Sequence, residues 1–276
     1  MYGIVTRNEP ELDWDVFDRG FYEVKSASGR QQSPADTGVN AIACHGDTAA
    51  SAAPELVAVD GCGTPATPGQ GAFDCGHVCP TNDGYRSGLL ALVDACAEAY
   101  SDVRIDDVGF PLARFCYCNR CVERFEGSRH DDWYDWRASV VSEFLAAVRD
   151  RVSGRLYLGV HPDPYPGRLR RRTGIDLETA MACVDEIVVP LYDPYYATTY
   201  WLDIIAGGFR DAVDPADLAV ELYAVNVDID ALLDAVSVVS EHVDDVYFGY
   251  DAGIARAAIR RIEAEAACGT TYGESA

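Results

Sequence analysis

Short apolar runs of strand length alternate with amphipathic stretches along nearly the whole chain. This alternation, more than any single motif, restricts what the chain can fold into. The strand-like runs are residues 2–6, 39–44, 56–59, 103–108, 156–160, 187–191, 218–223 and 246–250. Between them, apolar residues recur at helical spacing. One such stretch is 12–25, with Leu12, Val16, Phe17 and Phe21 on one face; the others are 87–100, a stretch after Cys121, 133–152, 176–183, 200–212, 228–243 and 254–267. Eight strand–helix units in about 270 residues fit a single (β/α)8 barrel. The barrel is expected over residues 1–267, with a loose tail from Cys268. An open doubly wound sheet would carry a Gly-rich phosphate turn after its first strand, and TRNEPEL at 6–12 is no such turn. Polar residues fall at the carboxyl ends of the strand-like runs: His45, Asp60, Asp106, His161, Asp193, Glu221 and Asp251. Barrel enzymes place their active sites at that end.

One segment, VRIDDVGFPLARFCYCNRC at 103–121, begins as a strand and ends as a cysteine cluster. Cys116, Cys118 and Cys121 have the spacing of a metal knuckle. A structural zinc takes four soft ligands in a tetrahedron, so a neighbouring loop should supply the fourth. Cys79 is the first candidate, followed by Cys75, His77, Cys62 and Cys44. Cys75, His77 and Cys79 all lie in a Gly/Pro-rich stretch at 62–82, and loops of that length in a compact domain usually carry function. Four thiolates leave no open coordination position, so such a metal would be structural.

The segments Cys79-Pro80-Thr81-Asn82-Asp83-Gly84-Tyr85-Arg86 and Cys116-Tyr117-Cys118-Asn119-Arg120-Cys121, with Phe125 following, resemble the β-galactosidases of glycoside hydrolase family 42. Glycosidase-like barrels of unassigned activity are similar too. The resemblance covers residues 79–125. It implies a zinc held by Cys79, Cys116, Cys118 and Cys121, and a barrel that hydrolyses the O-glycosyl bonds of a carbohydrate.

Glycoside hydrolysis needs two carboxyl groups flanking the bond. Alternation along the fourth strand puts Arg104 and Asp106 on one face, aimed at the barrel mouth, and Ile105 and Asp107 on the other. Asp106 is the expected acid/base, and Asp107 takes its place if the strand bulges. Family 42 has Asn-Glu there, and this chain departs from it. The second carboxylate is Glu221 on the seventh strand, where barrels similar to family 42 carry the nucleophile. An Arg-x-Asp fourth strand also resembles the α-amylases, which would reverse the two roles. A carboxyl separation of about 5 Å would imply retention and about 6.5–9.5 Å inversion. The family resemblance implies retention. Arg104, His45, His161, Asp163, Tyr192, Asp193 and Asp251 are candidate sugar-binding residues. Two other readings use the same residues. One is a catalytically inactive barrel that binds sugar or joins an assembly; the other is a metal-dependent hydrolase with His45, His161 and aspartates as ligands.

The 276 residues carry a formal net charge of −23, and Lys25 is the only lysine. A chain so acidic repels nucleic acid and anionic membranes. No run approaches the roughly 18 apolar residues of a membrane span, and no leader precedes the first strand, so a cytoplasmic location is expected. Ten cysteines in a reducing compartment are thiols or metal ligands rather than disulfides. The sequence leaves the oligomeric state open. An acidic, lysine-poor composition is that of proteins from salt-loving cells. At molar salt the Debye length falls to about 3 Å, and the self-repulsion is screened. The melting temperature should therefore rise from about 0.1 M to about 1 M KCl. A flat or falling melting temperature would contradict the halophilic reading.

Overall fold

The structure, a computed structural model, describes residues 1–70, 73–214 and 217–273, the side chains of 268–273 excepted. Eight strands close into one parallel barrel in chain order. They are β1 (Tyr2–Thr6), β2 (Arg19–Lys25), β3 (Val39–Ala43), β4 (Val103–Asp106), β5 (Leu156–Gly159), β6 (Glu186–Leu191), β7 (Leu218–Tyr223) and β8 (Asp245–Gly249). The helices are α1 (Asp83–Ala99), α2 (Asn119–Glu126), α3 (Trp133–Arg149), α4 (Arg168–Thr173), α5 (Leu177–Met181), α6 (Tyr200–Arg210), α7 (Ile229–Val239) and α8 (Ala252–Gly273). The expected single (β/α)8 barrel is therefore the fold. The loose tail expected from Cys268 falls on residues whose side chains, or whole positions, lie outside the described residues. So do residues 71 and 72 of the long loop. Among the described residues, no helix is long and apolar enough to cross a membrane.

The chain forms two compact units, residues 1–22 with 188–276, and residues 23–187. In the first, β1 pairs with β8 and β8 with β7, and Ile4, Val220, Leu222, Tyr247 and Phe248 are fully buried. Helix α7 turns Leu232, Ala235, Val236 and Val239 inward, the i, i+3, i+4, i+7 stripe of an amphipathic helix. In the second, Ile42, Ile105 and Leu158 stand side by side across β3, β4 and β5, all completely buried. A register slip of one residue on β4 would exchange Ile105 for charged neighbours, so burial pins the pairing. Helix α1 starts where the Asn82 side chain accepts the Tyr85 N–H at 3.0 Å, and it buries Leu89, Val93 and Cys96. Arg137 of α3 is fully buried; its guanidinium donates to the carbonyls of Leu112, Ala113, Arg171 and Arg172 and lies over the Phe110 ring.

Two sequence expectations are corrected. The stretch 12–25 is not a helix: Glu9–Asp13 forms a 3-10 turn and Arg19–Lys25 is β2. The helical spacing of Leu12, Val16, Phe17 and Phe21 is real, but β2 pairs in parallel with β1 from Gly3↔Arg19 to Thr6↔Tyr22. Without β2, the β1 edge away from β8 would leave its backbone groups unpaired, and that demand overrides the local pattern. The run 56–59 is not a barrel strand. It makes only isolated bridges, Val57↔Val78 and Val59↔Pro65, inside the β3–α1 connection. The two differences cancel, so the strand count stays at eight. The connections β1–β2 and β2–β3 contain no α-helix.

Candidate active site and thiol cluster

At the end of β4, Arg104 and Asp106 share a face, as alternation predicts. Arg104 Nε and Nη2 both donate to Asp106 Oδ1 at 3.0 Å, with Arg104 buried and Asp106 partly open. The Asp106 carboxylate lies so close over β5 that a Cβ on Gly159 would stand 1.9 Å from its Oδ1. The strand stops there, and Asp107 takes a left-handed conformation with φ 51°. Its side chain therefore leaves the strand in a direction that alternation does not set. The Asp107 carboxylate rests over Gly46, whose Cβ, if present, would be 2.6 Å from Oδ2. Asp107 is open to solvent, yet protein atoms crowd its carboxyl group. That crowding is the main cause lifting its pKa from 3.8 to about 6, and the neighbouring Asp106 charge adds to it.

Beneath this edge lies a polar network that the sequence reading missed. Lys25, 2 % exposed, donates to Ala43 O at 2.7 Å and pairs with Asp47 Oδ2 at 3.1 Å. The Tyr85 hydroxyl lies 2.8 Å from Asp47 Oδ2 and 3.0 Å from Cys44 O. Burial by itself would raise the Asp47 pKa; the Ala50 N–H, Tyr85 and Lys25 reverse that and hold it below the usual carboxylate range. The one available signal was that Lys25 is the sole lysine. His45 is also buried here. Its Nδ1 accepts the Gly109 N–H at 3.1 Å and its ring meets the edge of Phe144. Desolvation drives its pKa down to about 3, so it is a neutral packed ring.

In the unit of residues 1–22 and 188–276, Glu221 is completely buried on β7. Tyr192, at the end of β6, donates its hydroxyl to Glu221 Oε1 in a short hydrogen bond. Both groups sit against Gly249 of β8, where a Cβ would lie 3.0 Å from Glu221 Oε1 and 3.3 Å from the Tyr192 hydroxyl oxygen. The Tyr192 and Tyr223 rings pack 5.4 Å apart.

The remaining sugar-contact candidates have local partners. Asp193 Oδ1 accepts the Tyr195 N–H at 2.8 Å, and Asp251 Oδ1 accepts the Ile254 N–H at 3.0 Å as the cap of α8. Asp163 accepts the Tyr165 N–H at 3.4 Å and lies 3.9 Å from Arg168. His161 is half-buried, and burial first, then Arg172, lowers its pKa to about 4.

The four cysteines named from spacing come together. The sulfurs of Cys79, Cys116, Cys118 and Cys121 all lie within 4.8 Å of one another. Cys79 Sγ is 3.4 Å from Cys121 Sγ and 3.6 Å from Cys118 Sγ. The Val59 N–H donates to Cys116 Sγ at 3.3 Å, and the Thr81 hydroxyl lies 3.3 Å from Cys121 Sγ. Contacts from Cys116 first, then from Cys121 and Cys79, push Cys118 toward thiolate. Four converging sulfurs with an N–H donor already aimed at one of them suit a soft metal ion. The substitutes drop out: Cys75 pairs with His77 Nε2 at 3.6 Å, Cys44 is buried against Ile42 O, and Cys62 is exposed. Among the described residues no other group of three His, Cys, Asp or Glu closes on a common point.

No protein-family model matches the chain, and no curated protein matches it in sequence. Solved structures do share its fold. One is the PgaB (BpsB) glycoside hydrolase domain from Bordetella bronchiseptica, with a TM-score of 0.66 and 11 % identity over 89 % of this chain and 92 % of that one. A second is alpha-L-fucosidase isoenzyme 2 from Paenibacillus thiaminolyticus, with a TM-score of 0.68 and 12 % identity; it covers 96 % of this chain, which spans only 50 % of the fucosidase. A third is a chitinase from Chromobacterium violaceum ATCC 12472, with a TM-score of 0.55 and 12 % identity over 94 % and 98 % of the two chains. At these identities the likeness is one of fold.

Two outcomes follow from this geometry. Metal analysis of the purified chain should find about one soft divalent ion per chain. Cys118→Ser should lower both that content and the melting temperature; unchanged metal content would show that the ion is held elsewhere. Asp107 should act on stability through its raised pKa. Its folded value of about 6 lies above its ordinary 3.8, so it favours folding only while protonated. Its penalty is absent below pH 3.8 and complete above about 6. Asp107→Asn should therefore melt higher than the parent at pH 8 and nearly equally at about pH 3. Equal melting at both would place the carboxyl in ordinary solvent.

Proposed function

We propose that this chain is a glycoside hydrolase that cleaves an O-glycosyl bond at the carboxyl ends of its barrel strands. Glu221 acts as nucleophile and Asp107 as general acid/base. Asp107 carries the reading: a solvent-reached carboxyl crowded by protein atoms, with a pKa near 6, is protonated often enough to donate and ionised often enough to accept. Asp106 is the expected acid, but Arg104 Nε and Nη2 both hold its Oδ1, which suits a fixed partner of Arg104 better than a group that must turn toward a leaving oxygen. The Tyr192 hydroxyl holds Glu221 Oε1, and Gly249 leaves room for that oxygen. In the first step Asp107 gives its proton to the leaving oxygen as Glu221 forms a glycosyl ester. In the second, the Asp107 carboxylate takes a proton from the water that cleaves the ester. The outcome is retention.

The resemblance of residues 79–125 to glycoside hydrolase family 42 supports this chemistry, and so does a fold shared with glycoside hydrolase structures. The same resemblance supports zinc as the ion of the thiol cluster. Cys79, Cys116, Cys118 and Cys121 would hold it in a closed tetrahedron that braces two loops and takes no part in the reaction. We read the acidic surface as suited to molar salt. The full burial of Glu221 favours one competing reading, a barrel that binds carbohydrate without turning it over.

The test is a library of aryl glycosides assayed in molar KCl. Turnover by the parent chain should fall by roughly a hundredfold or more in Glu221→Gln and in Asp107→Asn. The alkaline limb of the pH–rate profile, near pH 6, should disappear only in Asp107→Asn. If Asp106→Asn removed that limb and Asp107→Asn kept it, the acid role would belong to Asp106. Binding without turnover by the parent would favour the inactive barrel.

A further inference from the structure

Exposed aromatic surface is unevenly distributed in this molecule. Of the seven large apolar side chains most open to solvent among the described residues, four lie between residues 192 and 204. Tyr192 is 42 % exposed, Tyr195 76 %, Tyr200 73 % and Ile204 43 %. A cluster of this kind on a soluble protein marks a binding surface more often than chance. Three of the four are tyrosines, which present a flat apolar face and a polar tip.

The segment is also held firmly. Tyr196, between the exposed rings, is buried with a left-handed φ of 43°. Its hydroxyl donates to Leu191 O at 3.1 Å and accepts the Tyr223 N–H at 2.6 Å, tying the segment to the ends of β6 and β7. Pro194 and the bond from Tyr195 N–H to Asp193 stiffen the turn before it. Tyr200 and Ile204 are one helical turn apart on α6 and so share a face. Tyr192 belongs at once to this strip and to the proposed site, through its hydroxyl bond to Glu221. From residue 191 to 209 the chain carries Asp193 and Asp203 and no Lys or Arg. An anionic polymer would be repelled there.

From this we infer that the β6–α6 segment is an extended subsite, with Tyr195 and Tyr200 as stacking platforms, that receives successive rings of an uncharged polysaccharide leaving the Glu221 centre. The inference rests on the carbohydrate reading and goes beyond it in naming the substrate class: a long neutral glycan rather than a small glycoside. Sugar rings have apolar C–H faces that stack on tyrosine, and a chain of them can use several exposed rings on one short segment where a monosaccharide can use one.

The test compares short and long substrates in the double variant Tyr195→Ala/Tyr200→Ala and in the control Tyr195→Phe/Tyr200→Phe. The long substrates are hydroxyethyl cellulose, galactomannan, xyloglucan and glycol chitin, with alginate as the anionic polymer; the short one is the best aryl glycoside. In the alanine variant, KM for the best neutral polymer should rise about tenfold, with kcat/KM on the aryl glycoside within about twofold of the parent. The phenylalanine variant should keep the parental KM. Equal losses on short and long substrates, or an unchanged polymer KM, would overturn the inference while leaving the hydrolase reading intact. If the parent turns over nothing, electrophoresis through gels containing the same polymers decides. Retardation by a neutral polymer that the alanine variant loses would uphold the subsite and sink the hydrolase. No retardation, or retardation by alginate alone, would sink the subsite as well.

Discussion

A carboxylate crowded by protein persists in a folded chain only if its neighbours accommodate both its volume and its charge. Much of the architecture around β4 follows from meeting that demand at two successive positions. Asp106 is accommodated by Gly159, which leaves space for the oxygen, and by Arg104, which supplies two hydrogen bonds and a charge. Asp107 has Gly46 beneath it and, farther off, the buried Lys25 cation, which offsets part of what crowding and Asp106 do to its pKa. Lys25 in turn needs Asp47, and Asp47 needs Tyr85. The two adjacent acids thereby acquire different surroundings: Asp106 is held by Arg104, and Asp107 has its pKa raised to about 6. Catalytic pairs elsewhere divide labour through environments that push pKa values apart.

The long β3–α1 and β4–α2 connections meet through the Phe73 and Phe115 rings, and both bury apolar side chains. Four thiols join them as well: Cys79 comes from the first connection, and Cys116 and Cys118 from the second, with Cys121 already in α2. The Val59 N–H on Cys116 and the Thr81 hydroxyl beside Cys79 and Cys121 add the outer bonds that orient metal ligands. Tyr85 leaves the same segment as Cys79 and reaches the Lys25–Asp47 pair. Thus the thiol cluster and the charged floor share a short stretch of chain, 79–85, and metal binding would steady both.

Features written in local spacing were legible from sequence. The barrel follows from apolar runs at regular intervals, and the thiol cluster from three cysteines in six residues plus one nearby loop. Features that depend on tertiary pairing were not. β2 carries helical spacing and becomes a strand because β1 needs an edge partner. Alternation placed Asp106 correctly but ended with the strand, so the left-handed turn at Asp107 had no sequence signal beyond two adjacent acids. The Lys25–Asp47–Tyr85 network joins three elements far apart in sequence and was visible only as one isolated lysine. Asp193 and Asp251 stood at strand ends, as active-site residues do, yet each caps its own turn or helix, which is what an aspartate at such a position commonly does.

The account depends most on Glu221 as a nucleophile that forms a covalent ester, and that ester can be trapped. The direct measurement is the intact mass of the chain after incubation with activated 2-deoxy-2-fluoro glycosides, followed by peptide mapping. The account predicts one added glycosyl group per chain, on the peptide containing Glu221, and loss of the adduct in Glu221→Gln. An adduct on the peptide bearing Asp106 and Asp107, or turnover of the unsubstituted glycoside without any trapped adduct, would contradict it.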